Sequence, residues 1–283
     1  YHINVYAFRK DKTPWAHAGH IVAKEQFELP GGTLGAAAGA GMVKKSSVAT
    51  GSGSLSDGSL ELNAGDVKIR VDGQTGFLSS YAVGGEEQLQ APLKPNFWRA
   101  VTDNDRIGYR TPTRLLYWKT AAEQVTAGNL RMTENKDGSR TVVANQTLKD
   151  GKAVQTITYT MHPDGQLNVD VIFSATSGLP DMPRIGLQLG IPADYQQVTF
   201  FGKGPHENYN DRSRSAFVGR YEMPLAELMT EYVYPQANGN RTGTHWTKFT
   251  DASGKGLMVS GKDFQFSAYP YTTENLEAAK MVC

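Results

Sequence analysis

A histidine and a glutamate side by side, His206 and Glu207, are the residues of this sequence best suited to acid–base chemistry. Imidazole and carboxylate groups are common proton carriers, and an epimerase of the mutarotase type needs one of each on the same sugar. Adjacent residues of a strand point to opposite faces, so cooperation would require a turn, which Pro205 could provide. The simpler interpretation is that Glu207 binds local backbone amides or arginines. We therefore assign no catalytic residue.

Two polar segments, Gly202–Arg212 and Tyr234–Arg241, combine carboxylates, amides and guanidiniums with interleaved tyrosines. Gly202, Gly204 and Gly239 permit backbone angles that other residues resist. Loops of this composition usually form fully paired polar networks, so the pattern predicts a structural cluster. The alternative is a sugar-binding surface, because hydroxyl-rich rings contact amides, carboxylates and aromatic faces. The predicted members of the structural network are Glu207, Asn208, Asp211, Arg212, Asn238 and Arg241.

Three side chains are weak candidates for direct sugar contact: His206, Trp98 and Trp246. Tryptophan rings can stack on sugars, but large aromatic residues are highly buried on average. We therefore expect core positions for at least two of Trp98, Trp118 and Trp246.

The segment Asp103–Asp105, with Gly108 behind it, resembles the start of a calcium loop. Its fifth position is Ile107, where such a loop needs an oxygen ligand. We expect instead a structural turn held by Arg99 or Arg106. The six histidines show no metal-ligand spacing, so the sequence predicts neither a metal site nor a cofactor in this chain.

The composition argues against several classes of protein. The 283 residues carry a net charge of +1 with acids and bases intermixed, and no basic stripe indicates nucleic acid. No run of about 18 apolar residues predicts a membrane span. Cys283 is the single cysteine, so no internal disulfide is possible, and cytoplasm and periplasm are equally compatible.

Alternating apolar residues predict an all-β fold with two large antiparallel sheets packed face to face. His2–Phe8 and His20–Phe27 are predicted strands, and 30–54, rich in Gly, Ala and Ser, is a predicted linker. An Ala-rich stretch at 35–41 could form a short helix, although its glycines oppose this. The other helix candidates are Pro112–Trp118, Leu225–Tyr232 and Thr273–Lys280.

Blocks of sequence in a fixed order carry a family resemblance. They are Asn96–Asp105, Gly204–Arg212 with Pro224–Arg241, and Asp263–Tyr271. Together they resemble the C-terminal small-chain domain of the β-galactosidases of glycoside hydrolase family 2, although Val101 stands where the family commonly has proline. The resemblance extends from about Asp66 to the end of the chain.

This resemblance implies a supersandwich related to the galactose mutarotase fold. It divides the chain into the tail of a preceding immunoglobulin-like β-sandwich domain at 1–29, a linker at 30–54, and the small-chain domain at 55–283, truncated at its C-terminus. The family's Gly-Asp-Asp-Ser-Trp-type segment, which delivers an aromatic residue to the sugar, is not found before Cys283. We therefore expect an open sheet edge and, through it, a possible homo-oligomer.

The resemblance also implies a non-catalytic role in carbohydrate metabolism. The family hydrolyses terminal β-galactosides with retention, using two glutamates about 5 Å apart. Those glutamates and the adjacent magnesium ligands belong to a (β/α)8 barrel that no part of this chain resembles. We expect the chain to shape the active-site mouth and support subunit assembly. Its partners would be the remainder of the β-galactosidase and, through that enzyme, the β-galactoside substrate. The alternatives are a mutarotase-like aldose epimerase and a free-standing carbohydrate-binding module.

Overall fold

Antiparallel β-structure dominates the chain in a computed structural model that describes residues 1–30 and 50–280. The all-β class predicted from the sequence is therefore confirmed, whereas the possible helix at 35–41 lies outside the described residues. The strands are β1 (His2–Phe8), β2 (Ile21–Glu28), β3 (Thr50–Ser54), β4 (Leu60–Ala64), β5 (Val67–Val71), β6 (Leu78–Val83), β7 (Glu86–Glu87), β8 (Ala91–Pro95), β9 (Val125–Ala127), β10 (Arg131–Glu134), β11 (Arg140–Leu148), β12 (Ala153–Met161), β13 (Leu167–Ala175), β14 (Leu187–Gly190), β15 (Gln197–Gly204), β16 (Phe217–Pro224), β17 (Arg241–Thr250) and β18 (Gly256–Phe266). The helical segments are a π-helix (Asn104–Tyr109), α1 (Thr111–Arg114), α2 (Leu116–Ala121), a 3₁₀ turn (Leu225–Leu228) and α3 (Thr273–Ala278).

The largest core lies between a seven-stranded and a five-stranded sheet. The first has the strand order β14-β8-β6-β5-β4-β3 with β7 beside β6, and the second has the order β10-β11-β12-β13 with β9 beside β11. In β12 the alternate residues Gln155, Ile157, Tyr159 and Met161 are buried. This period of two is what a strand with one covered face requires.

β3 occupies the end of the segment that the sequence predicted as linker. Thr50–Ser54 pairs with Leu60–Ala64 at the edge of the seven-stranded sheet. Strand pairing uses backbone groups, so a sequence of glycine and serine can extend a sheet without contributing apolar side chains. The linker prediction is therefore wrong for 50–54, and 31–49 lies outside the described residues.

A third sheet contains β15 to β18 in the order β16-β15-β17-β18. Its buried face contributes Val198, Phe200, Phe249 and Phe266 to a core of its own. This sheet matters most for the polar segments, because one of them follows β15 and the other leads into β17.

The β1–β2 hairpin lies against the edge of this four-stranded sheet. The side-chain amide of Gln26 donates to the carbonyl oxygen of Val218 at 2.9 Å and accepts the N–H of Val218 at 2.8 Å. Tyr6 adds a ring contact with Phe217 at 6.1 Å. The connection between the two strands carries Trp15, which is 66% exposed.

The helices are shorter than the sequence predicts. Pro112–Trp118 forms two short helices separated at Leu115, and Leu225–Tyr232 shortens to a single 3₁₀ turn. The 3₁₀ turn ends where Met229 takes an extended backbone, and the carbonyl oxygen of Leu228 accepts a hydrogen bond from the Arg241 side chain at 3.3 Å. Within residues 1–30 and 50–280, no helix is long and apolar enough to cross a membrane.

The turn predicted at 103–108 is a π-helix, Asn104–Tyr109. It is held as expected by Arg99, whose guanidinium donates to both carboxylate oxygens of Asp105 at 2.9 and 3.1 Å. α3 begins after Thr272, whose hydroxyl accepts the N–H of Asn275 at 3.2 Å in a reciprocal capping box.

Aromatic rings from α2, β13 and the segment after β8 form a second core beside the main one. The ring centroids of Phe97, Trp118 and Phe173 lie 5.3 to 5.9 Å apart. The indole N–H of Trp118 donates to the carbonyl oxygen of Pro180 at 2.8 Å, so the buried ring has its polar atom satisfied. Trp118 therefore occupies a core position.

Replacing Trp118 by alanine should destabilise the chain by about 3–5 kcal/mol, because it leaves a cavity among these rings. Leu116→Ala on the same helix is the control, since Leu116 is 48% exposed and its loss should change stability by less than about 0.5 kcal/mol. Urea unfolding followed by far-UV circular dichroism measures both. Equal effects of the two substitutions would contradict the assignment of Trp118 to the core.

Candidate functional site

The carboxylate of Glu207 is the centre of the polar site. Glu207 follows β15, and only 7% of its side chain is exposed. It accepts hydrogen bonds from the hydroxyl of Tyr232 and the guanidinium of Arg212. The N–H of Gly239 donates at 2.8 Å and the hydroxyl of Tyr209 at 3.3 Å. Four donors from separate parts of the two segments and the loop between them thus converge on one carboxylate.

This environment keeps Glu207 ionised. Burial alone raises the pKa of the carboxyl, but hydrogen bonds from Tyr232, Gly239 and Arg212, together with the charge of Arg212, outweigh it. The net result is a pKa below the ordinary value of 4.5. A carboxylate with this pKa and fully occupied lone pairs is a poor proton donor at neutral pH.

Asn208 joins the first polar segment to β17. Its side-chain oxygen accepts the N–H of Thr242 at 3.0 Å and the Thr242 hydroxyl at 2.5 Å. Its side-chain nitrogen donates to the carbonyl oxygens of Lys203 and His206 at 2.9 and 3.0 Å. The backbone N–H of Asn208 donates to Asn240, and the Asn240 amide returns a bond to the Asn208 carbonyl at 2.9 Å. All polar atoms of this fully buried side chain are therefore used.

The side chain of Asn238 holds the second polar segment together through hydrogen bonds to its backbone and to the backbone of the preceding loop. Its side-chain oxygen accepts the N–H of Thr230 at 3.2 Å, and its side-chain nitrogen donates to the carbonyl oxygen of Gln236 at 3.0 Å. The hydroxyl of Tyr269 bonds both the N–H and the carbonyl oxygen of Asn238. Tyr269 was not among the predicted members, and its only sequence signal is its place in the block Asp263–Tyr271.

Gly239 connects the two buried charges of the site. Its N–H donates to Glu207, and its carbonyl oxygen accepts from Arg241 at 2.9 Å. Its φ of +68° lies in the left-handed region, and an added Cβ would lie 2.7 Å from the Leu228 carbonyl oxygen. Glycine is thus required here for both backbone angle and space.

Gly202 and Gly204 serve a different purpose from the one predicted. Neither has a positive φ, so unusual backbone angles do not explain them. An added Cβ at Gly202 would lie 2.8 Å from Thr244 Cα, and one at Gly204 would lie 2.8 Å from the ring of Tyr221. Close packing within the four-stranded sheet is the reason for glycine at both positions.

Arg241, a member of the predicted network, forms no ion pair with any carboxylate in the described part of the chain. The residue is 1% exposed, and its Nη1 donates to the carbonyl oxygens of Leu228 and Gly239 at 3.3 and 2.9 Å. Its Nε has no hydrogen-bond partner among the described residues. Burial lowers the pKa of Arg241 to about 10, opposed by the charge of Glu207. Arg241 therefore binds backbone carbonyls and stays charged at neutral pH.

Asp211 lies outside the network that the sequence predicted for it. Its side chain is exposed, and no hydrogen bond or ion pair links it to any described residue. Arg212, the next residue, is also largely exposed but reaches Glu207 with one end of its guanidinium. The neighbouring residues of this turn point in different directions, which sequence composition alone could not resolve.

The three sugar-contact candidates occupy different environments. Trp98 is 6% exposed, and its indole N–H donates to Glu277 at 2.7 Å, so its ring offers almost no free surface. Trp246 is half-buried, with its ring stacked near Phe201 at 6.5 Å. His206 is exposed and its Nε2 lies 3.1 Å from the Ser215 hydroxyl. Each candidate side chain thus already contacts another group of this chain.

The π-helical turn is tied to the second polar segment by contacts that the sequence did not indicate. The guanidinium of Arg106 lies 3.9 Å from the ring centroid of Tyr234. The N–H of Asp103 donates to the Gln236 side chain at 3.3 Å. The turn and the two polar segments therefore form one connected region.

A cleft of about 220 Å³ lies apart from this network. Two of its carboxylates are already bound by nearby amides: Glu87 accepts three backbone N–H groups, and Asp251 accepts two. The residues lining the cleft are Glu86, Glu87, Gln88, Gln90, Pro192, Asp194, Tyr195, Asp251 and Lys255. In the part of the chain that the structure describes, no group of three or more histidine, cysteine, aspartate or glutamate residues is placed to hold a metal ion.

Comparison with known proteins identifies relatives of the chain. Residues 63–283 match the family described as the β-galactosidase small chain. The chain is 31% identical over 267 residues to the β-galactosidase of Priestia megaterium, covering 94% of this chain and 25% of that protein. It is 32% identical over 292 residues to the Vibrio cholerae enzyme and 34% over 285 residues to that of Klebsiella pneumoniae strain 342. It spans about a quarter of the length of these relatives.

Replacing Glu207 by glutamine should destabilise the chain by about 1–3 kcal/mol, because the new NH2 group faces a donor that then loses its acceptor. Asp211→Asn is the matched control, since it also removes one negative charge but breaks no bond of the network, and should change stability by less than about 0.5 kcal/mol. Urea titration measures both. Similar effects from the two changes would show that net charge matters and the network does not.

The stability difference between the wild type and Glu207→Gln should depend on pH. The folded state lowers the pKa of Glu207 below 4.5, so the stabilisation is fully present above about pH 5.5 and is lost as the pH falls through the folded pKa. Thermal unfolding of both proteins at a series of pH values tests this. A difference that stays constant down to about pH 3 would mean that the ionised form of Glu207 is not favoured by folding.

Proposed function

Since this chain belongs to the β-galactosidase small chain family, we propose that it is a non-catalytic, structural region of a β-galactosidase. The relatives that support this are called β-galactosidases and are about four times as long. In this proposal the hydrolysis of terminal β-galactosides, with retention, takes place on a barrel elsewhere in the enzyme. The magnesium belongs to that barrel as well, and this chain needs no cofactor.

The observation that carries the proposal is the environment of Glu207. A retaining glycosidase needs two carboxyl groups about 5 Å apart, and one of them must have a raised pKa to act as an acid. The pKa of Glu207 is lowered instead, and its carboxylate already accepts four hydrogen bonds. Asp211, the other carboxylate of the same motif, is exposed and takes no part in the network. This supports a structural role for the motif.

The geometry disfavours an aldose epimerase. That chemistry needs a histidine and a carboxylate on the same sugar. His206 is exposed and bound to Ser215, whereas the adjacent Glu207 is buried among its donors. A free-standing carbohydrate-binding module finds little support either, because Trp98 is buried and Trp246 is half-buried.

Two exposed apolar features support a role in shaping a larger enzyme. The π-helical turn presents Ile107 and Tyr109, which are 80% and 59% exposed, on a loop tied to the rigid polar network. The β1–β2 hairpin exposes Ile3 and Phe27 on the face opposite Gln26. Exposed apolar side chains on well-held elements are typical of surfaces that contact other protein. In the proposal, the turn faces the active-site mouth and the hairpin belongs to the immunoglobulin-like domain of 1–29.

The purified chain should not hydrolyse nitrophenyl-β-galactoside, because both catalytic glutamates are proposed to lie outside it. The Vibrio cholerae β-galactosidase, assayed in parallel, is the positive control. Mutarotation of galactose and calorimetric titration with lactose should also give no signal above the blank. Hydrolysis that co-purifies with the chain and disappears in Glu207→Gln would overturn the proposal, since it would place catalysis within this chain.

A further inference from the structure

Asn238 and Gly239 form the single Asn-Gly sequence of the chain. Such a pair is open to a spontaneous reaction in water, because glycine has no side chain to hinder attack by its own nitrogen. The Gly239 nitrogen loses its proton to the solvent and bonds to the side-chain carbonyl carbon of Asn238, whose side-chain nitrogen takes up a proton and leaves as ammonia. Water then opens the resulting succinimide at either carbonyl, giving aspartate or isoaspartate. Water is the only co-reactant.

The folded chain binds the attacking group of this reaction. The N–H of Gly239 donates to the buried carboxylate of Glu207 at 2.8 Å. A negative charge beside an N–H opposes loss of its proton, because the anion that forms would face a like charge. The pKa of Glu207 lies below its ordinary value, so this carboxylate is also a weak base toward that proton.

The group under attack is held as well. Oδ1 of Asn238 accepts the N–H of Thr230 at 3.2 Å, and Nδ2 donates to the carbonyl oxygen of Gln236 at 3.0 Å. Turning this amide toward the Gly239 nitrogen would break both bonds. Asn238 is also 4% exposed, so burial keeps away the water that the reaction consumes.

We propose that Asn238 is a deamidation site that the Glu207 network keeps unreactive. The reaction takes place only in conformations in which the Gly239 N–H has left Glu207 and the Asn238 amide has left its partners. Local opening of this kind precedes global unfolding where few bonds must break. The inference rests on the hydrogen bonds of the network and is independent of the proposed function.

Either product should prevent the network from forming again. Aspartate at 238 replaces Nδ2 by an oxygen that faces the Gln236 carbonyl oxygen without a proton to donate. Isoaspartate lengthens the main chain between 238 and 239 by one carbon atom, which displaces the N–H from Glu207. Buried polar groups left without partners are destabilising. Deamidation therefore makes an opening of the network irreversible.

The rate of deamidation at Asn238 tests the proposal. It is measured in the intact chain, incubated in mildly alkaline buffer and then analysed by mass spectrometry of its proteolytic peptides. Glu207→Ala removes the acceptor of the Gly239 N–H and should speed the reaction roughly tenfold or more. Asp211→Asn also removes a negative charge but breaks no bond of the network, so it should react at the wild-type rate.

A second control separates local opening from global unfolding. It is the wild type in a urea concentration that lowers its stability to that of Glu207→Ala, because this chain keeps the carboxylate. The proposal is overturned if Glu207→Ala reacts no faster than this stability-matched wild type. It is also overturned, without any variant, if the folded wild type deamidates at Asn238 as fast as the fully urea-unfolded chain.

Asn238→Asp imitates one product and tests its effect on the fold. It should unfold at a lower urea concentration than the wild type. Asn210→Asp is the matched control, since the exposed Asn210 accepts the Gln265 amide through Oδ1 at 3.0 Å, which a carboxylate oxygen can also do. Equal urea midpoints for Asn238→Asp and the wild type would show that the product rejoins the network, and would overturn the irreversibility proposed here.

Discussion

A buried carboxylate must have its lone pairs satisfied, and around Glu207 this requirement determines where the loops meet. Arg212 reaches it from 5 residues along the chain, and Tyr232 and Gly239 reach it from 25 and 32 residues along the chain. These donors reach Glu207 only if the backbone after β15 and the backbone leading into β17 each take one conformation. The loops therefore take a fixed conformation because the buried negative charge must be compensated, and not because they contain regular secondary structure.

The second buried charge, Arg241, is compensated in a different way. Its guanidinium forms no ion pair with a carboxylate of the described residues and instead donates to backbone carbonyl oxygens, including those of Leu228 and Gly239. Gly239 lies between the two charges, giving its N–H to the anion and its carbonyl to the cation. Peptide dipoles thus compensate both buried charges without a direct ion pair between them. The same arrangement ties the end of the 3₁₀ turn to β17, because the Leu228 carbonyl is bound by Arg241.

Those features that depend on local pattern could be predicted from the sequence. The period-two alternation of β12, the cap at Thr272 and the Arg99 anchor of the π-helical turn all follow from neighbouring residue types. The positions of side chains within the polar segments could not be predicted in the same way. Asp211 and Arg212 are adjacent and equally polar, yet only Arg212 reaches Glu207. That difference depends on the direction of the turn in space. The hydrogen-bond acceptors of Arg241 could not be predicted either, because every residue has a backbone carbonyl and the sequence does not show which ones lie near the guanidinium.

The four tryptophans give the chain a built-in set of optical reporters. Trp118 is enclosed in the aromatic core, so it should emit at short wavelength, and both it and the buried Trp98 should resist collisional quenchers. Trp15 lies on the connection of the hairpin and is 66% exposed, so it should emit at longer wavelength and be quenched readily. The emission wavelength at which the fluorescence of the intact chain changes therefore distinguishes a movement of the hairpin from a loosening of the core.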